Sequence, residues 1–160
     1  MVVVVVLMRP VMQSTAADTR DVVVPVLVDS SRSMAIDDAD GERRIDAART
    51  LVEQRLLPAL GDAFSVEVLS FGERVSPVET GALEASARRS DLAAALGELR
   101  DRYRGRPVAG AVVISDGGDT GGLIAADGFD PLVPPVYPIG VGSPDASGDR
   151  EVLSVTAAEA

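Results

Sequence analysis

A chain of 160 residues with 46% hydrophobic content and only 3% aromatics is long enough for one domain, with a core built from Val, Leu and Ala rather than rings. Its 25 acidic residues outnumber 15 basic ones, for a formal net charge of −10, which argues against nucleic acid as a partner because phosphates would be repelled. Cys, His and Lys are absent. That removes disulfides, zinc sites of the usual kind, His-based triads and the Walker lysine, and leaves oxygen donors for hard cations such as Mg²⁺, Mn²⁺ or Ca²⁺.

Residues 1–20 open on an apolar run, Val2–Met8, closed by Arg9-Pro10. The run is too short to span a bilayer and lacks the basic flank and cleavage site of a signal peptide. Two readings stay open: an extra strand, or the last turns of a membrane helix that begins outside this chain. A polar, linker-like stretch follows, so the domain is expected over 21–160.

Val22–Val28 predicts a fully buried strand. Pro25 strains that reading, since it removes a ladder donor and calls for a bulge or an unpaired position. Asp37, Asp38, Asp40 and Gly41 do not meet EF-hand spacing and read as a solvated acidic loop. Residues 42–57 predict a helix with Ile45, Ala48, Val52 and Leu56 on one face, ended by Pro58. Phe64–Gly72 is the next strand, and Pro77 confines 75–78 to an edge. Ser90 is the expected N-cap of a helix whose Leu92, Leu96, Leu99 and Tyr103 share a face. Ala111–Ile114 is a buried strand stopped by Gly117-Gly118. Val136–Gly142 and Glu151–Ala157 are further strands, and Gly121–Pro135 leaves room for a short helix. Alternation of this kind predicts an α/β fold, a doubly wound, mostly parallel sheet flanked by helices.

In such sheets ligands bind outside the carboxyl ends of the strands. Three features are expected there: Asp29-Ser30-Ser31-Arg32-Ser33, Ser90-Asp91, and Asp116. Two carboxylates and several hydroxyls, remote in sequence, are thus expected to converge as an all-oxygen cluster suited to a divalent cation. Each has a plainer reading as well. Asp29 is a capping carboxylate, Ser90 an N-cap, and Asp116 a turn residue before two glycines. Asp119 reads as loop or as a residue behind the ligands.

D-x-S-x-S after the first strand, a hydroxyl before D-L, and S-D-G after a later strand resemble, in that order, the von Willebrand factor A (vWA) domain. The resemblance covers about Asp21–Thr156 and implies a Rossmann-like fold with a metal-ion-dependent adhesion site (MIDAS). It implies Asp29, Ser31, Ser33, Ser90 and Asp116 as metal ligands with Ser30 and Arg32 as spacers, Mg²⁺ as the ion with Mn²⁺ or Ca²⁺ as substitutes, and a protein partner whose Glu or Asp completes the coordination. Ser90 stands where the family usually has Thr. Arg32 stands where Gly is often found, which puts a cation beside the site. The family's closing helix is not expected in the residues after the last strand. Met8-Arg9-Pro10 and the polar link resemble bacterial membrane-anchored vWA proteins, which implies the cell envelope rather than the cytoplasm and an anchor outside this chain.

The expectation is therefore a non-enzymatic, divalent-cation-dependent protein–protein interaction module. Two alternatives stay open. One is a Mg²⁺-dependent phosphatase-like enzyme using Asp29, although the second acid such enzymes need is here Ser31 and their lysine is missing. The other is a metal-free structural domain of a larger envelope protein. A hydrolase centred on Ser115 lacks both G-x-S-x-G and any His.

Overall fold

The computed structural model describes residues 21–118, 120 and 134–143. Val2–Met8, Asp119, most of Gly121–Pro135 and the strand expected at Glu151–Ala157 lie outside them. The first described strand, β1 (Val23–Asp29), is buried at every position. A short hairpin follows, β2 (Asp37–Ala39) and β3 (Glu42–Arg43), and then α1 (Arg44–Leu51), a π-helical turn (Val52–Leu56) and α2 (Leu57–Leu60). Next come β4 (Ser65–Phe71), β5 (Ser76–Pro77), α3 (Leu92–Arg102), β6 (Ala111–Ser115) and β7 (Val136–Gly140). The main sheet has the order β5-β4-β1-β6-β7. β4, β1, β6 and β7 run parallel, and β5 pairs antiparallel at one edge.

Alternation along β1 explains why both sheet faces are covered. Val23 and Leu27 pack with Leu69, Phe71, Leu96, Leu99 and Tyr103 on the α3 side. Val24, Val26 and Val28 pack with Ile45, Ala48, Val52 and Ile114 on the α1 side. Each buried aliphatic chain contributes about 1.5–3 kcal/mol relative to exposure. The predicted stripes are the buried ones, with Leu56 and Leu92 at their margins. Tyr103 ends its stripe with a polar tip that donates to Glu67 Oε2 at 2.7 Å. Burial, then the bond to Glu67, pushes the phenol up to about 12.

Three expectations need correction. Pro58 does not end the helix, which continues to Leu60. The Leu57 amide donates five residues back, to the Val52 carbonyl. That one widened turn carries the backbone past a ring that would otherwise clash with an α-helical carbonyl. Residues 37–43 are a hairpin rather than a solvated loop. Asp40 and Gly41 both have positive φ (54° and 86°), the conformation an Asp-Gly two-residue turn favours. The N-cap of α3 is Asp91, whose carboxylate accepts from the Ala94 amide at 2.9 Å; Ser90 is free of that task.

Pro25 sits in a central strand because its neighbour is irregular there. The Val23 amide and carbonyl bond to Pro107 and Ala109, so by the two-residue alternation Pro25 faces the same side. Val23 bridges Val108, yet Val26 pairs with Val112. The β6 side thus carries one residue more over that interval, and the missing donor falls at the bulge.

Candidate metal centre

Asp29 ends β1 on the face that α3 covers, and it is 0% exposed. Its Oδ1 accepts from the Ser31 amide at 2.8 Å. Its Oδ2 accepts from the hydroxyls of Ser90 at 2.9 Å and Ser115 at 2.8 Å. A buried carboxylate holding three such bonds is fixed in place. The Ser31 and Ser33 hydroxyls lie 2.9 Å apart. Ser30 is more than a spacer: its amide and hydroxyl both donate to the Phe71 carbonyl, at 2.8 and 2.7 Å, which ties the loop to the end of β4.

Ser90 reaches Asp29 because its approach is held along the backbone. The Ala87 amide donates to the Ser30 carbonyl, and the Ala87 carbonyl accepts from the Arg32 amide. Arg49 donates to the carbonyls of Thr80 and Leu83, anchoring the start of that stretch to α1. Gly72 lets the chains approach: a Cβ there would lie 2.4 Å from the Ala87 Cβ and 3.0 Å from the Arg89 carbonyl oxygen. Thr120 clasps Ser90 from the other side. Its hydroxyl accepts from the Ser90 amide and donates to the Ser90 carbonyl, both at 3.0 Å.

Asp116 follows β6, and its side chain is 3% exposed. Oδ2 accepts from Arg44 Nη1 at 2.7 Å and Oδ1 from the Gly118 amide at 2.9 Å. Burial raises its pKa. Bonds from Ser33, the Gly118 amide and Arg44 outweigh that and hold the carboxyl below its ordinary range. Arg44 also grips Asp38 with two bonds, of 2.7 and 2.6 Å. These bonds, acting against burial, lower the Asp38 pKa, and they raise that of Arg44.

The structure thus brings Asp29, Ser31, Ser33, Ser90 and Asp116 to one end of the sheet. It adds Thr120 and Arg44, which the sequence did not single out, and Ser115 and Asp38, which the sequence offered only as a rejected nucleophile and as part of an acidic loop. The Asp-Gly dipeptide at 40–41 was the readable signal for the hairpin that presents Asp38. Two carboxylates, Asp38 and Asp116, share the single Arg44 guanidinium, which leaves about one negative charge over, and the Asp29 carboxylate lies at the end of the neighbouring strand. A hydroxyl and carboxylate donor set with that surplus fits a hard divalent ion. Beside it, between the ends of β6 and β7, lies a depression of about 240 Å³ lined by Ser90, Leu92, Ser115, Asp116 and Ile139 among others.

No protein-family model matches the chain, and no curated protein sequence does. Among solved structures, the chain is similar to the ArnB paralog VWA2 from Sulfolobus acidocaldarius, with a TM-score of 0.53 and 18% identity. The likeness covers 78% of this chain, which spans 35% of that one. At that identity it establishes the fold, which is vWA-like: a mostly parallel sheet with helices on both faces.

Proposed function

With a vWA-like fold as the premise, we propose that this domain is a divalent-cation-dependent protein-binding module. In this reading Asp29, Ser31, Ser33, Ser90 and Asp116 hold Mg²⁺, with Mn²⁺ or Ca²⁺ as substitutes, and a partner's Glu or Asp side chain completes the site. The bound ion would supply the Lewis acidity that captures the partner carboxylate. The chain's own residues do the rest. Ser90 and Ser115 orient Asp29, Arg44 orients Asp116, and the Ser31–Ser33 pair presents two hydroxyl oxygens. The observation that carries the reading is the convergence of Ser31, Ser90 and Ser115 on the buried Asp29 carboxylate, with Asp116 alongside.

The phosphatase alternative is disfavoured by the residues present. Such enzymes need a second acid two positions after the nucleophile, where this chain has Ser31, and a lysine, of which it has none. Calorimetric titration with Mg²⁺ and Mn²⁺, alone and with an acidic peptide, tests the proposal. Metal-dependent peptide capture, lost in Asp29→Asn, is the expected result; the amide keeps an acceptor for the serines while removing the charge. Absence of any metal binding by the wild-type chain sinks it. Hydrolysis of a phosphate ester that disappears in the same variant would restore the enzyme reading.

A further inference from the structure

The rim of this site carries a charge opposite to that of the protein. Arg32 is exposed between the two serines that face the centre, and Arg88 and Arg89 are exposed immediately before Ser90. Backbone pairing brings them together. Ser31 bridges Ala87 in a parallel sense, and the Arg32 amide bonds the Ala87 carbonyl, so Arg32 lies alongside Arg88. None of the three guanidiniums makes a hydrogen bond or ion pair among the described residues. Several other arginines are paired, Arg43 and Arg49 with Asp46, Arg44 with Asp38 and Asp116, Arg104 with Asp101 and Arg106 with Glu67, whereas exposed Arg55 and Arg74 show no such pair among the described residues.

In a chain with ten surplus negative charges, exposed Arg32 and Arg88 thus lie side by side, with Arg89 next in sequence, at the stretches that carry Ser31, Ser33 and Ser90. Like charges held side by side repel one another. A guanidinium left free offers a planar fork matched to a carboxylate. Resting on the metal-dependent reading above, we propose that Arg32, Arg88 and Arg89 form a docking rim for an acidic segment of a protein partner. One carboxylate of the segment enters the centre while its neighbours lie on the guanidiniums. The partner is thus a run of acidic residues rather than one isolated Glu or Asp. The rim steers it past the repulsive surface of the rest of the domain and fixes its register.

The test compares the full chain with Arg32→Gln/Arg88→Gln and with a control that neutralises two remote arginines, Arg55→Gln/Arg104→Gln. Each is titrated with a hexaglutamate peptide, with and without Mg²⁺, at two salt concentrations. The rim variant should bind the peptide about tenfold more weakly at low salt, as expected for two lost exposed charge pairs. Its Mg²⁺ affinity should be unchanged or tighter, and the control should match wild type. Metal-dependent binding that ignores the rim substitutions overturns the rim and leaves the metal reading standing. Rim-sensitive binding that needs no Mg²⁺ does the reverse. No binding by the wild-type chain, an equal loss in the control, or a preference for a six-nucleotide oligothymidylate over the peptide overturns the acidic-segment proposal.

Discussion

Arg44 divides one guanidinium between carboxylates six and 72 positions away. With its side chain only 13% exposed, the pairing is shielded enough to matter, unlike a surface ion pair. Replacing it by Gln leaves Asp116 buried beside Ser33 with one bond fewer and no neutralising charge. Arg44→Gln should lower unfolding free energy by about 1–3 kcal/mol in metal-free buffer, the cost of a buried charged group short of a partner, as read from urea denaturation. Saturating Mg²⁺ should shrink that loss, because the ion then neutralises Asp116; an equal loss in both conditions would show that Arg44 and the ion act independently. Asp29 was legible in the sequence because a lone carboxylate ending an apolar run has few other uses. Arg44 was not, because Glu42-Arg43-Arg44 reads as a solvated helix start and nothing local names its distant partner. Ser90 was expected both as a cap and in the donor set, and only the first expectation fails: Asp91 does the capping, and the hydroxyl is turned to Asp29.

Helices and strands followed hydrophobic periodicity closely, since the apolar stripes of α1 and α3 are the surfaces that cover the sheet. Prolines were harder to read. Their steric rules are local, whereas the widened turn before Pro58 and the bulge facing Pro25 belong to tertiary arrangements. Gly72 is the element-level feature that no pattern announced, because its value is the closeness of the 87–90 stretch to the end of β4. Gly72→Ala should push that stretch outward, costing about 1–3 kcal/mol as overpacking does, and should weaken Mg²⁺ binding further because Ser90 moves with it. Gly81→Ala has open space around its Cβ and should leave both properties near wild type. Thermal melts and metal titrations of the two variants, run together, separate displacement of the site from a general intolerance of larger residues.

Across the whole molecule, the site exists only when β1 has both of its parallel neighbours. The two hydroxyl bonds to Asp29 Oδ2 close sequence separations of 61 and 86 residues, and parallel strands need long crossovers to meet at all. Contacts of that range follow the loop closure that makes them possible. The donor set is therefore expected to mature late, after most of the sheet is in place. This has a consequence in time rather than in space. An ion bound to a late-forming cluster stabilises the native state far more than the barrier to reaching it. Stopped-flow measurements should accordingly find Mg²⁺ slowing unfolding while the refolding rate stays almost unchanged; a faster refolding limb would mean that the cluster assembles early. On that account, the strand that ends in Asp29 would set how long a folded domain survives with an ion bound.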